Sequence, residues 1–288
     1  MIESSGSNVT TVSAPGKVLL AGGYLVLESP NAGLVVATDK RFYTTVKSVH
    51  TTIIDSDGTP NDKRSENDKA MKIIVTSPQF HSTWAYDFDY SDDTGAAYLR
   101  PSIENASENI FVEKTIRIVM TYLATQNAKF EGSSDNNLLE ITIKADNDFY
   151  SVIPHIGGQP RTPETVEKLP KFLNCPKDPT TGKAIINKTG LGSSAALVTS
   201  LVGALYHHFT PSTSDEKDVN GDGSKGNGDG EEQEDEECTT PLEIIHNLAQ
   251  LCHCHAQGKW KEEIEWSSLP RGGESVLTNI CFSSVSYI

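Results

Sequence analysis

Lys188-Thr189-Gly190-Leu191-Gly192-Ser193-Ser194-Ala195 is the stretch on which the fold is decided. Ahead of it, Ala184-Ile185-Ile186 is short, apolar and strand-like, and behind it the run from Ala195 to Leu205 reads as a buried helix, small residues first. A glycine-rich bend opening a helix gathers unpaired backbone N–H groups at the positive end of the helix dipole, a ready seat for a phosphate chain. Gly190 and Gly192 let the backbone approach an anion with no Cβ in the way. Ser193 and Ser194 are candidates to cap the helix and to set a hydroxyl on a bound Mg²⁺. The spacing G-x-x-x-x-G-K-[ST] is missing, so this is a different kind of phosphate loop. A plain helix cap with its glycines in a tight turn would leave the same pattern.

Toward the N-terminus, Thr10-Thr11-Val12-Ser13 is a short strand running into Ala14-Pro15-Gly16-Lys17-Val18-Leu19-Leu20-Ala21-Gly22-Gly23-Tyr24, a Pro-Gly turn, a second apolar strand and a Gly-Gly break. Lys17 follows the turn, where a strand end can aim an ammonium into a cleft; an ordinary solvated lysine fits the spacing as well. Leu34–Ala37 and Phe42–Val46 continue as strands, Ile73–Thr76 and Trp84–Phe88 read as a strand pair, and 55–70 is a polar loop. Ile110, Val112, Ile116, Val119, Met120 and Leu123 recur at helical period. Leu138–Ile143 alternates as a strand and meets a polar turn, Asp146–Ser151; six prolines make 154–180 a loop. Thr239 or Thr240, with Pro241 and Glu243, opens a helix through Leu251. Cys252-His253-Cys254-His255 resembles a metal set, but neighbours two apart on a helix point in different directions, and a core or cleft face is the better account.

The charge is concentrated. Residues 212–237 hold eleven acids against Lys217 and Lys225, so this segment carries −9 of the net −15. It reads as a solvated, disordered insertion. Asp218-x-Asn220-x-Asp222-Gly223 with Asp229 imitates a calcium loop but lacks the bidentate Glu and flanking amphipathic helices. No basic footprint for nucleic acid is present, and no run approaches the roughly 18 apolar residues of a membrane helix. Met1–Ser7 has neither the charge nor the apolar run of a secretory signal, and five scattered cysteines read as reduced thiols of a cytoplasmic protein.

Three separated stretches together resemble the GHMP small-molecule kinases, in particular their fungal-type branch acting on 5-phosphomevalonate. They are Ser13–Leu27 with its Gly-Gly-Tyr ending, Lys188–Ala195, and His246-Asn247-Leu248-Ala249-Gln250 with His253 and Ala256-Gln257-Gly258-Lys259. Asn109–Lys114 and Asp148-Phe149-Tyr150-Ser151 are similar in weaker ways, and the motifs occur in the family's order over residues 10–259. The resemblance implies an α+β fold: the GHMP N-terminal domain, a two-layer sandwich like domain 2 of ribosomal protein S5. It also implies ATP- and Mg²⁺-dependent transfer of the γ-phosphoryl group onto the phosphate of 5-phosphomevalonate, a small-molecule substrate of the isoprenoid and sterol pathway. Lys188, Thr189, Gly190, Leu191, Gly192, Ser193, Ser194 and Ala195 would cradle ATP, with Ser194 or Ser193 on Mg²⁺. Lys17 would be catalytic, between nucleophile and γ-phosphate, and Gly22, Tyr24, Asp148, Tyr150 and Ser151 would bind the acceptor.

The expected organisation is a kinase domain over 1–211, the acidic insertion 212–237, a helix resuming the domain over 238–259 and a divergent tail, 260–288. The family's Gly-Lys leads into Gly-x-Gly-Phe-Asp, whose Asp is the candidate base. Here Gly258-Lys259 is followed by Trp260-Lys261-Glu262, and no Asp occurs after Asp235. The expectation is a truncated or mispredicted chain, its C-terminal domain largely missing, and inactive or unstable by itself. Mevalonate kinase is the nearest enzymatic rival, argued against by Gly-Gly-Tyr and by Lys188-Thr189. A non-catalytic acidic module binding calcium or a basic partner is the rival from another class.

Overall fold

The computed structural model describes residues 8–23, 25, 28, 30–50, 69–90, 97–102, 108–126, 128, 130, 137–210, 240–258 and 286–287. Tyr24, the polar loop up to residue 68, the acidic run 212–237 and all of the tail but 286–287 lie outside them. Seven strands form one sheet: β1 (Val9–Ala21), β2 (Leu34–His50), β3 (Lys69–Ser77), β4 (Ser82–Tyr90), β5 (Ala97–Pro101), β6 (Asn137–Ala145) and β7 (Ser286–Tyr287). Four helices accompany it: α1 (Ile110–Thr125), α2 (Pro163–Glu167), α3 (Ser193–Phe209) and α4 (Pro241–Ala256). The spatial order is β5-β4-β3-β6-β2-β1-β7, antiparallel throughout except between β3 and β6. This is the mixed α+β class expected from the sequence.

Period-two alternation explains which face is covered. Val12 and Ala14 of β1, Phe42, Thr44 and Val46 of β2, Leu139, Ile141 and Ile143 of β6, Ile73 and Val75 of β3, and Tyr86 and Phe88 of β4 are buried. Against them lie Val112, Ile116, Val119 and Leu123 of α1 and Val198, Leu201, Val202 and Leu205 of α3. Burying a side chain of this size contributes about 1.5–3 kcal/mol. Helix α3 lies close against the sheet at Gly203, where a Cβ would stand 2.9 Å from Val12 Cγ1. Two polar links cross the same interface. Thr44 Oγ1 and Ser200 Oγ are 2.9 Å apart, and the His208 ring meets Thr10 Oγ1 at 3.1 Å and Ser48 Oγ at 2.7 Å.

Two expectations are corrected. Pro15-Gly16 is no turn: β1 runs straight through it as one strand, with a bulge in which residues 38–40 of β2 face the single Gly16. Ala184–Ile186 is no strand either. Only Ala184 makes an isolated bridge, to Lys177, while Ile185 and Ile186 are 41% and 45% exposed. The strand that feeds the glycine bend is β6, and the chain between them, 146–186, is an inserted excursion. Gln79 pins this excursion from beneath: its buried amide donates to Ala145 O and Leu173 O and accepts from Ala145 N, while its backbone O accepts from Cys175 N at 2.7 Å.

Candidate active site

The bend at 188–192 is held on two sides. On one, the excursion returns antiparallel to its own start: Ser151 N donates to Asn187 O at 2.8 Å, Thr189 N to Phe149 O at 3.2 Å and Thr189 Oγ1 to Asp148 O at 2.6 Å. Phe149 anchors this clip, fully buried and edge-on to Phe42 with ring centroids 4.7 Å apart. On the other side lies β1. Lys17 N donates to Leu191 O at 2.9 Å, and a Cβ on Gly16 would meet Leu191 O at 2.9 Å and both Phe149 Cζ and Thr38 Oγ1 at 3.0 Å. Glycine is required there for close approach rather than for backbone freedom.

Gly190 and Gly192 carry φ of 92° and 70°, a region that penalises any Cβ. Gly192 is the N-cap of α3, which corrects the expectation that a serine caps this helix; having no side chain, it supplies no capping bond. Ser193 and Ser194 fall inside the first turn instead. Among the described residues, no acceptor takes the amides of Ser193, Ser194 and Ala195; the first helical bond runs from Ala196 N to Gly192 O. Lys188, Thr189 and Gly190 are exposed, and a Cβ at Gly190 would meet nothing within 4 Å, so the mouth of the helix is open. Three unpaired amides on a 17-residue helix are what a phosphate chain requires.

The Lys17 side chain lies across this mouth. The position a Cβ would take on Gly192 is 3.1 Å from Lys17 Cγ and 3.8 Å from its Cε. Burial pushes the Lys17 ammonium below the usual lysine range. A desolvated cation there gains more from a nearby phosphate than a solvated one would. Solvated-lysine behaviour, open from spacing alone, does not describe this half-buried side chain.

The two serines face different partners. The Tyr150 hydroxyl is bonded to Ser193, and burial lifts that phenol above its ordinary range. Ser194 Oγ lies 3.1 Å from His253 Nε2, on the last turn of α4. Thus the bend, Lys17, Asp148, Tyr150 and Ser151 come together. Gly22 follows the end of β1, five residues and about 16 Å beyond Lys17 at the rise of a strand. A shallow pocket, partly open to solvent, adjoins the clip; Tyr150, Ser151, Asn187, Asn147, His155 and Cys175 are among its lining residues.

The residues present fit ATP through amides, glycines and a lysine. Toward Mg²⁺ they offer a hydroxyl, and among the described residues no group of three His, Cys, Asp or Glu could hold an ion. That set fits a cation that arrives with phosphates and keeps waters, which is the habit of Mg²⁺. Two residues that sequence reasoning left without a role matter here. Gly16 reads in the sequence as part of a turn, and His253 stands in both Cys252–His255 and the third resembling stretch without a role; the signal for each is its position in a motif, while its use is a long-range contact.

No protein-family model matches the sequence. Among curated proteins, a peroxisomal phosphomevalonate kinase of Arabidopsis thaliana is 37% identical over 263 residues, covering 86% of this chain and 46% of the plant protein. The chain is a relative of the phosphomevalonate kinases. Those of Aspergillus fumigatus and Gibberella zeae are 32% and 33% identical, over 87% and 86% of this chain. The chain spans about half the length of these phosphomevalonate kinases, 46–47%. No helix among the described residues is long and apolar enough to cross a membrane.

Proposed function

We propose that this chain is the nucleotide-gripping part of a phosphomevalonate kinase, transferring the γ-phosphoryl group of ATP to the phosphate of 5-phosphomevalonate. The diphosphate formed belongs to the isoprenoid and sterol pathway. One observation carries the reading: three unpaired amides at the mouth of α3 lie under the side chain of Lys17, whose own amide is tied to the bend. The names of the relatives favour phosphomevalonate over mevalonate as acceptor. They also count against a non-catalytic acidic module.

In the reaction an oxygen of the acceptor phosphate attacks Pγ, the bond from Pγ to the β,γ-bridging oxygen breaks, and ADP leaves. The chain's contribution is positioning and charge neutralisation. Amides of residues 190–195 hold the β- and γ-phosphates, and Lys17 spans acceptor and γ-phosphate. Ser194 would hold Mg²⁺, which would supply neutralisation of the phosphate charge. Asp148, Tyr150 and Ser151, beside the bend, bind the acceptor. A phosphate acceptor has a second pKa near 6, so at neutral pH it is already largely deprotonated. This makes a side-chain base less necessary than for an alcohol acceptor, and no Asp occurs after Asp235.

The described residues of 1–211 and 238–259 then make up the S5-like N-terminal half of the kinase, with 212–237 as an acidic insertion. A reducing compartment, the cytoplasm, suits Cys175 and Cys252, which are buried as free thiols. Calorimetric titration of the 288-residue chain with ATP tests the reading. Saturable binding is expected, lost in Gly192→Val, whose side chain would occupy the place of the Lys17 stem. Coupled ADP release should respond to phosphomevalonate and not to mevalonate. No saturable ATP binding by the wild-type chain refutes the proposal.

A further inference from the structure

The structure assigns His253 as a positioning residue that makes Ser194, rather than Ser193, the cation-binding hydroxyl; the inference rests on the function proposed above. A serine hydroxyl has one proton and two lone-pair directions. At Ser194 the oxygen is 3.1 Å from His253 Nε2. With Nε2 as acceptor, the serine proton points into helix α4 and only lone pairs face the bend. An oxygen so fixed is a ligand for a metal ion and a poor donor to phosphate. Left to rotate, the same hydroxyl would turn its proton toward a phosphate oxygen and take the other role. Ser193 meets no imidazole; its neighbour is the Tyr150 hydroxyl, which donates as well as accepts and so does not fix the direction of the serine proton.

The imidazole is itself held in place. Helix α4 is locked against α1 and α3 by Ile245, Leu248 and the fully buried Cys252, one residue before His253. Phe111, in the first turn of α1, lies beside the ring with centroids 5.8 Å apart and planes 36° apart. Residues one step outside a metal's own ligands orient those ligands in this way, and their loss typically costs 10–100-fold in metal affinity.

The test is the Mg²⁺ linkage of ATP binding, measured on the 288-residue chain as the ratio of ATP Kd without Mg²⁺ to that with it. His253→Ala is expected to lower this ratio roughly tenfold while leaving Mg²⁺-free ATP binding little changed. His253→Gln, which returns an acceptor at similar reach, should restore most of it. Ser194→Ala should lower the ratio at least as far, and the double variant no further than Ser194→Ala alone. ¹⁵N NMR of the ring should show the proton on Nδ1. An unmoved ratio in His253→Ala, an equal loss of Mg²⁺-free and Mg²⁺-bound affinity, additive losses in the double variant, or a loss that His253→Gln fails to restore overturns the assignment. Failure of the wild-type chain to bind ATP at all would instead sink the proposed function, and this inference with it.

Discussion

Gly16→Ala isolates the contact that joins strand to bend. The added methyl would stand 2.9 Å from Leu191 O and 3.0 Å from both Phe149 Cζ and Thr38 Oγ1. The first of these is backbone, and Phe149 is wedged edge-on against Phe42, so neither yields by rotating a loose side chain. Overpacking of this kind costs about 1–3 kcal/mol. Relieving it by lifting the bend breaks the 2.9 Å bond from Lys17 N to Leu191 O, worth about 1 kcal/mol more. The expected destabilisation is therefore about 2–4 kcal/mol, or a fall in Tm of roughly 5–15 °C. Gly158→Ala is the internal control. Its φ is +80° but its Cβ would meet nothing within 4 Å, so it incurs only the left-handed backbone strain of about 1–2 kcal/mol. Differential scanning calorimetry with ATP titration reads both variants: Gly16→Ala should lose Tm and ATP affinity together, Gly158→Ala a little Tm and no affinity. A Gly16→Ala protein with wild-type Tm and ATP affinity would show that strand and bend are not in the contact described.

Four further outcomes are expected. Burial holds the His208 imidazole below its ordinary range, so the unfolded chain binds the extra proton first. Stability should therefore fall as pH drops below about 6.5, by at most about 1.4 kcal/mol per pH unit from this ring, and denaturant melts of His208→Gln should show a flatter profile than wild type over pH 5–7. Gln79→Ala strands Ala145 N and O in the interior and should cost about 3 kcal/mol in urea unfolding; a loss below 1 kcal/mol would mean water replaces the amide. Thr240→Ala removes one half of the capping box at the start of α4, for about 1 kcal/mol, read as a small Tm shift. Lys17→Met should slow phosphoryl transfer roughly 10²–10³-fold with Tm held or raised, because a desolvated ammonium is removed; an unchanged rate would take Lys17 out of the chemistry.

What was legible in the sequence was local. Small residues after Gly192 announced α3, the 3.6-residue spacing of Ile116, Val119 and Leu123 announced α1, and Thr240-Pro241 with Glu243 announced the α4 cap. What was not legible was decided at a distance. Pro15-Gly16 carries turn chemistry, yet the glycine answers to Leu191 O, about 175 residues away, and the strand continues. Ala184–Ile186 has strand composition but sits at the return of an excursion, where the pairing partner is 148–151 and begins only at Asn187. The serines looked like caps because serines usually are; a left-handed Gly192 took that position and released them to Tyr150 and His253. Motif order named residues that the fold brings close to the bend, Lys17, Asp148, Tyr150 and Ser151, whereas Gly22 follows the far end of β1.

A single backbone bond, Lys17 N to Leu191 O, has a mechanical consequence. It welds the cationic side chain and the anion cradle into one lever, so that thermal displacement of α3 carries the ammonium along rather than opening a gap between them. In the proposed reaction, alignment between donor phosphate and lysine would thereby be set before any nucleotide arrives, and the freedom to adjust would be left to the acceptor's side.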